Sequence, residues 1–254
     1  MSTGRSLGLR RTLFFGAFLA VWGILSALRL WPGYLFPSPF EVGRTLFEGF
    51  LDKTVPIGVA ASLWRLVRGY ALAMAIGLPL GIVLAKVRPV KETLGLLIMG
   101  LQALPSICWL PLALLWFGLN ERAILFVVVM GAVFSIAQST EDGVRNTAPV
   151  YLRAARNLGA RGFRLYSAVI LPSALPSIVS GMKLGWSFAW RSLMAGELLY
   201  SLPGLGKLLN MGRELNDMSQ VLATIMVIIV LGLISDRLIF GTLERRVRER
   251  WGLG

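Results

Sequence analysis

The amino-acid sequence predicts an all-α, polytopic membrane protein, with six transmembrane helices and a short amphipathic helix between the fourth and fifth. Two observations carry that prediction. Hydrophobic residues fill 56% of the 254 positions and charged residues only 15%, whereas a soluble domain carries about 25% charged residues. The apolar residues also run in long blocks, several of which reach the ~20 residues that a bilayer crossing needs.

The blocks follow in order. The first, about 12–31, sits behind Arg5, Arg10 and Arg11. It is longer than a signal-peptide core and shows no small-x-small cleavage site, so it reads as an uncleaved first span. Pro32, Gly33, Pro37 and Pro39 stop it. From Pro39 to Asp52 apolar and charged residues mix as in an amphipathic helix lying at the interface. The second block is about 58–87. The third, about 94–117, contains Pro105 and Pro111, and bends are expected at both, since proline removes a helix hydrogen bond. The fourth is about 123–138, followed by a polar, basic segment from Glu141 to Arg164. The fifth, about 166–200, holds Pro172 and Pro176, with the same expectation, and ends in a glycine-rich loop at 202–206. The sixth is about 221–240, followed by a basic tail. One transmembrane domain, 1–254, with its core at about 58–241, accounts for the whole chain.

Charge orients the spans. The formal charge is +13. The basic residues flank the apolar blocks and form no basic domain, so they indicate topology, and no nucleic-acid partner is expected. With both ends inside, fifteen basic residues fall in inner segments and six in outer ones. That split favours both termini in the cytoplasm.

Several chemistries are excluded or disfavoured. The chain has no histidine and a single cysteine, Cys108, within an apolar block and expected to serve packing. Histidine-dependent hydrolysis, histidine metal sites and an internal disulfide are therefore out of reach. Gly206-Lys207 resembles the end of a phosphate-binding loop, but Ser201 stands where the first glycine belongs and Leu208 where Ser or Thr is needed. Glu141-Asp142 is the only adjacent acidic pair, which disfavours an intramembrane metal enzyme. A passive channel is the other competing class. Gly77 and Gly81, and Gly181 and Gly185, are spaced for close helix approach.

The segment Thr147–Pro172 is the most informative. Tyr151, Ala154, Ala155 and Leu158 fall on one helical face, with Arg153, Arg156 and Asn157 opposite. Pro149 suits the first turn and Gly159 the C-terminal cap of a helix over 150–158. Ala154, Ala155, Gly159, Leu171 and Pro172 stand in the register E-A-A-x3-G-x9-I-x-L-P, with Arg153 at the glutamate and Val169 at the isoleucine. In this the chain resembles the permeases of bacterial ABC importers. Pro105 to Leu112 with Trp116-Phe117-Gly118, Leu171 to Ile178, Gly204-Leu205-Gly206 and Ser38-Pro39 resemble the branch that takes up nitrate, taurine and aliphatic sulfonates. The likeness covers about residues 36–253.

The resemblance implies a bacterial inner-membrane importer subunit for a small anion such as nitrate, taurine, an aliphatic sulfonate or bicarbonate. It implies a homodimer, two ABC ATPase subunits and an external solute-binding protein. It implies no cofactor on this chain, with ATP-Mg on the ATPase. Tyr151, Arg153, Ala154, Ala155, Leu158 and Gly159 would form a coupling helix that docks in the ATPase.

Charged and polar groups inside spans are the candidates for a solute path. Arg191 lies well inside the fifth block, with Trp186 and Trp190 beside it and Glu197 six residues on as an alternative ion-pair partner. Gln102, Ser106 and Gln138 complete the set.

Overall fold

The structure, a computed structural model, describes residues 3–200 and 202–250. Side chains are described for residues 8–247 and 249 within that range, so Ser201, residues 251–253 of the expected likeness, and the side chains of Arg5, Arg248 and Arg250 lie outside it. All regular structure among the described residues is helical. Among the described residues five helices are long and apolar enough to cross a membrane, and a bent pair, taken as one span, gives a sixth. The spans are Gly8–Ala27, Thr54–Lys86, Arg88–Ala103 with Ser106–Phe117, Glu121–Arg145, Gly162–Leu199 and Met218–Val247, called the first to sixth spans below.

Residue contacts divide the chain into two compact units. One comprises Met1–Ala60 and Pro203–Ile229. In it the first span continues an N-terminal helix that runs Thr3–Ala27 and exposes most of its apolar side chains, Leu13, Phe14, Phe18 and Ile24 among them. The helix stops four residues earlier than the apolar pattern suggests, and Arg29 turns the chain at φ 48°. Trp22 Nε1 donates to the Pro37 carbonyl at 3.0 Å and secures the returning loop. The interfacial helix forms over Pro39–Leu51 and starts with a capping box: Ser38 Oγ accepts from Glu41 N–H, and Glu41 accepts from Ser38 N–H. A second amphipathic helix, Leu205–Glu214, begins inside the segment that reads as a glycine-rich loop. Gly204 precedes it in an extended conformation, and Gly212 lets it approach Val221.

The other unit comprises Ala61–Leu202 and Val230–Gly254. Its centre is the fourth span, which runs two turns beyond the apolar block through Glu141, Asp142 and Arg145. Glycines clasp it from two sides. A Cβ on Gly81 of the second span would stand 2.3 Å from the Ala137 carbonyl oxygen, and one on Gly181 of the fifth span 2.2 Å from Ser139 Cβ. Gly77 and Gly185 meet Ile136 at 3.0 and 2.9 Å in the same sense. The glycine spacing therefore serves close backbone approach.

The prolines divide in their effects. The third span breaks by 104° at Leu104–Pro105. Leu104 is extended, at φ −73° and ψ 127°, as the residue before a proline prefers. Pro111 makes no second break, because it sits in the first turn of the segment Leu110–Phe117, where its missing N–H costs nothing. Pro172 and Pro176 do not interrupt the fifth span. A π-helical turn, Tyr166–Ile170, precedes Pro172. Similar turns occupy Lys91–Gly95 and Asp236–Phe240. The sixth span then runs on into the helix Gly241–Arg250, which takes in the basic tail.

Candidate functional site

The bend in the third span builds the largest assembly of expected path residues. Gln102 and Ser106 flank it, and with Gly131 and Phe134 of the fourth span and Phe188 and Arg191 of the fifth they line a cavity of about 270 Å³. The guanidinium of Arg191 lies 5.4 Å from the Phe188 ring centroid, a cation–π contact. Arg191 is exposed, and no carboxylate comes within salt-bridge distance of it among the described residues. The break itself, Ala103 to Ser106, supplies part of the lining of the same cavity. Such discontinuous helices place backbone dipoles at solute sites in transporters.

The remaining expected path residues lie elsewhere. Trp186 is buried in a ring cluster with Tyr70 and Phe240, at centroid distances of 5.0 and 5.7 Å. Trp190 packs partly buried against the same core. Gln138 faces a separate cavity with Lys91, Glu141 and Asp142, where Lys91 pairs with Glu141. Cys108, expected to serve packing, is exposed in the turn just after the break.

Glu197 is not the partner of Arg191. It is fully buried and accepts from Arg65 Nη1 at 2.8 Å and from Ser62 Oγ at 2.7 Å. Glu121 lies 3.8 Å from Arg65 Nε and 2.9 Å from Arg68 Nη1. Two cations and two anions thus balance across the second, fourth and fifth spans. Sequence reasoning missed Arg65, although a formal charge inside an apolar block was available as the signal.

The short helix forms over Pro149–Asn157, within one residue of expectation at each end. Gly159 takes φ +82°, its N–H bonds to the Arg156 carbonyl and the Ala160 N–H to that of Ala155, which is a Schellman termination. The expected apolar face is divided. Ala155 is buried against Val144, Leu165, Ile170 and Ala174 of its own chain, and so cannot present itself to a partner. Val150, Tyr151 and Ala154 are exposed, as is Leu158 at 88%. Arg153 and Arg156 are exposed beside them. Phe163, unremarked in the sequence, is exposed at 85% just beyond.

A helical bundle of this kind, with one broken span and a short helix between its fourth and fifth, is the architecture of an ABC importer permease. The inward-facing MetNI methionine ABC transporter shares the fold, with a TM-score of 0.65 at 20% identity over 75% of this chain and 94% of that one. The chain belongs to the family of binding-protein-dependent transport system inner membrane components, whose pattern matches residues 77–249. It is 32% identical to the taurine transport system permease protein TauC of Escherichia coli over 234 residues, 90% of this chain and 85% of the relative. It is also 32% identical to the bicarbonate transport system permease protein CmpB of Synechococcus elongatus, over 87% of this chain and 83% of the relative. The chain is thus a membrane-spanning transport subunit and not an enzyme.

Proposed function

We propose that this chain carries a small anion across the inner membrane by alternating access, driven by a partner ATPase. The cavity at the broken third span carries the proposal. It joins Arg191, Gln102 and Ser106, and arginine remains charged and matches oxyanions with a planar fork. Relatives named for the transport of taurine, a sulfonate zwitterion, and of bicarbonate support a solute with an oxyanion group. In this reading two copies form a homodimer, two ATPase subunits hold ATP-Mg, and an external solute-binding protein delivers the solute. Both termini are cytoplasmic, and the whole chain acts as one permease domain.

The short helix is the coupling element of this reading. Its outward face, Val150, Tyr151, Ala154 and Leu158, enters the ATPase groove with Arg153 at its edge, while Ala155 and the Gly159 cap fix it to the spans. Co-reconstitution with the ATPase and binding protein in vesicles tests the proposal. Uptake of an anionic solute should require ATP inside and binding protein outside. Uptake without nucleotide would indicate a passive channel, and ATP hydrolysis by the isolated chain would overturn the division of labour.

A further inference from the structure

The helix Gly241–Arg250 carries acids and bases; its acids are Glu244, partly buried, and Glu249, exposed near its end. Lys183 of the fifth span lies 3.6 Å from both Asp236 and Glu244. This contact holds both carboxylates partly buried, near the buried Phe240. The outward face is left with Leu238, Ile239 and Leu243, exposed at 68%, 50% and 37%, followed by exposed Arg245 and Arg246. Arg237 is exposed on the preceding turn. No carboxylate stands within salt-bridge distance of Arg237, Arg245 or Arg246 among the described residues.

The spacing along the axis gives this face its depth. From Leu238 and Ile239 to Arg245 and Arg246 is seven residues, roughly 10 Å of helix rise. The helix continues a membrane span, so Leu238 and Ile239 meet acyl chains. The arginines then reach the polar layer that lies just outside the ~30 Å hydrocarbon core.

We infer that Arg245 and Arg246, above the apolar Leu238–Ile239–Leu243 face, form a binding surface for anionic phospholipid headgroups. A phosphodiester offers the oxygens that a guanidinium fork bonds best. The lipid is favoured over an acidic protein partner because the basic pair continues a lipid-facing apolar surface of the same helix. Juxtamembrane basic residues near an anionic surface contribute about a fivefold gain in binding each. The pairing of Asp236 and Glu244 with Lys183 offsets their charge, which leaves Glu249 as the exposed carboxylate described on this helix against Arg245 and Arg246.

Native mass spectrometry of the full-length chain, released from detergent in an equal mixture of phosphatidylglycerol and phosphatidylcholine, tests this. Wild type should retain phosphatidylglycerol preferentially. Arg245→Gln/Arg246→Gln should reduce that preference by at least about fivefold. Arg153→Gln/Arg156→Gln on the short helix should leave it in place and serves as the control for charge elsewhere. Both pairs are surface substitutions, and a matched thermal melt checks that each variant is folded. Absence of preference in wild type, or an unchanged preference in the Arg245/Arg246 variant, overturns the proposal. Loss of ATPase capture by that variant with lipid preference intact also overturns it and assigns the face to a protein partner.

Discussion

Glu197 lies 2.8 Å from Arg65, 132 residues away in sequence, and not beside Arg191 on its own helix. The pair is closed off from solvent and joined by Ser62. Removing one partner of a buried pair costs about 3–5 kcal/mol, because the other charge is left uncompensated. Glu197→Gln and Arg65→Gln should each lower the melting temperature and the yield of folded protein. Arg65→Met/Glu197→Leu should recover much of the loss. A double variant no more stable than the singles would show that the pair does not act as a unit.

Arg191→Gln should behave in the opposite way. Without a carboxylate partner to abandon, it should leave folding and complex assembly intact and reduce maximal uptake several-fold. The half-saturating concentration should change little, since in the proposed reading affinity resides in an external binding protein. Normal uptake by the assembled variant would remove Arg191 from the path.

In the proposed reading the two faces of the short helix separate coupling from folding. Ala154→Asp and Leu158→Asp should uncouple ATP hydrolysis from uptake while the permease still inserts and melts normally. Ala155→Asp should instead destabilise the chain itself, since a buried charge would enter the cluster of Val144, Leu165 and Ile170. Gly159→Ala should cost about 1 kcal/mol, because φ +82° suits glycine and few other residues. Wild-type coupling in Leu158→Asp would reject the docking face.

Membrane sidedness is open to single-cysteine labelling in a Cys108→Ser background. Leu158→Cys should react from the cytoplasmic side and Leu119→Cys from outside; both positions are well exposed, at 88% and 72%. The reverse pattern would invert the topology.

Gly81→Ala should destabilise the bundle more than Gly77→Ala. The first methyl meets a backbone carbonyl at 2.3 Å, which cannot step aside, whereas the second meets its nearest atoms at 3.0 Å. Gly100→Ala, with nothing within 4 Å, should be neutral or slightly stabilising. Equal melting temperatures for all three would dismiss the close-approach argument.

The sequence made the spans legible because hydrophobic length is read residue by residue. It placed the short helix because Pro149 and Gly159 punctuate it and Ala154, Ala155 and Leu158 keep a helical period. It associated Arg191, Gln102 and Ser106 without showing that a single bend brings them together. Pair identity was out of reach: Arg65 and Glu197 meet across helices, and nothing local in either segment encodes the other. The helix at 205–214 was hidden because Pro203, Gly204 and Gly206 signal a loop while amphipathic spacing begins within it. Ala155 was placed on a partner's side because periodicity defines a face but not what covers it.

The glycine contacts of the fourth span limit how this unit can move. A slip of one residue, about 1.5 Å of rise, would bring positions bearing side chains against Ala137 and Ser139, where only hydrogen fits. The close approaches at Gly77, Gly81, Gly181 and Gly185 therefore oppose sliding of the second, fourth and fifth spans past one another. In the proposed transport reading, clearance for a solute then opens along the margin of these spans, past Arg191 and the bend, and not through their interior.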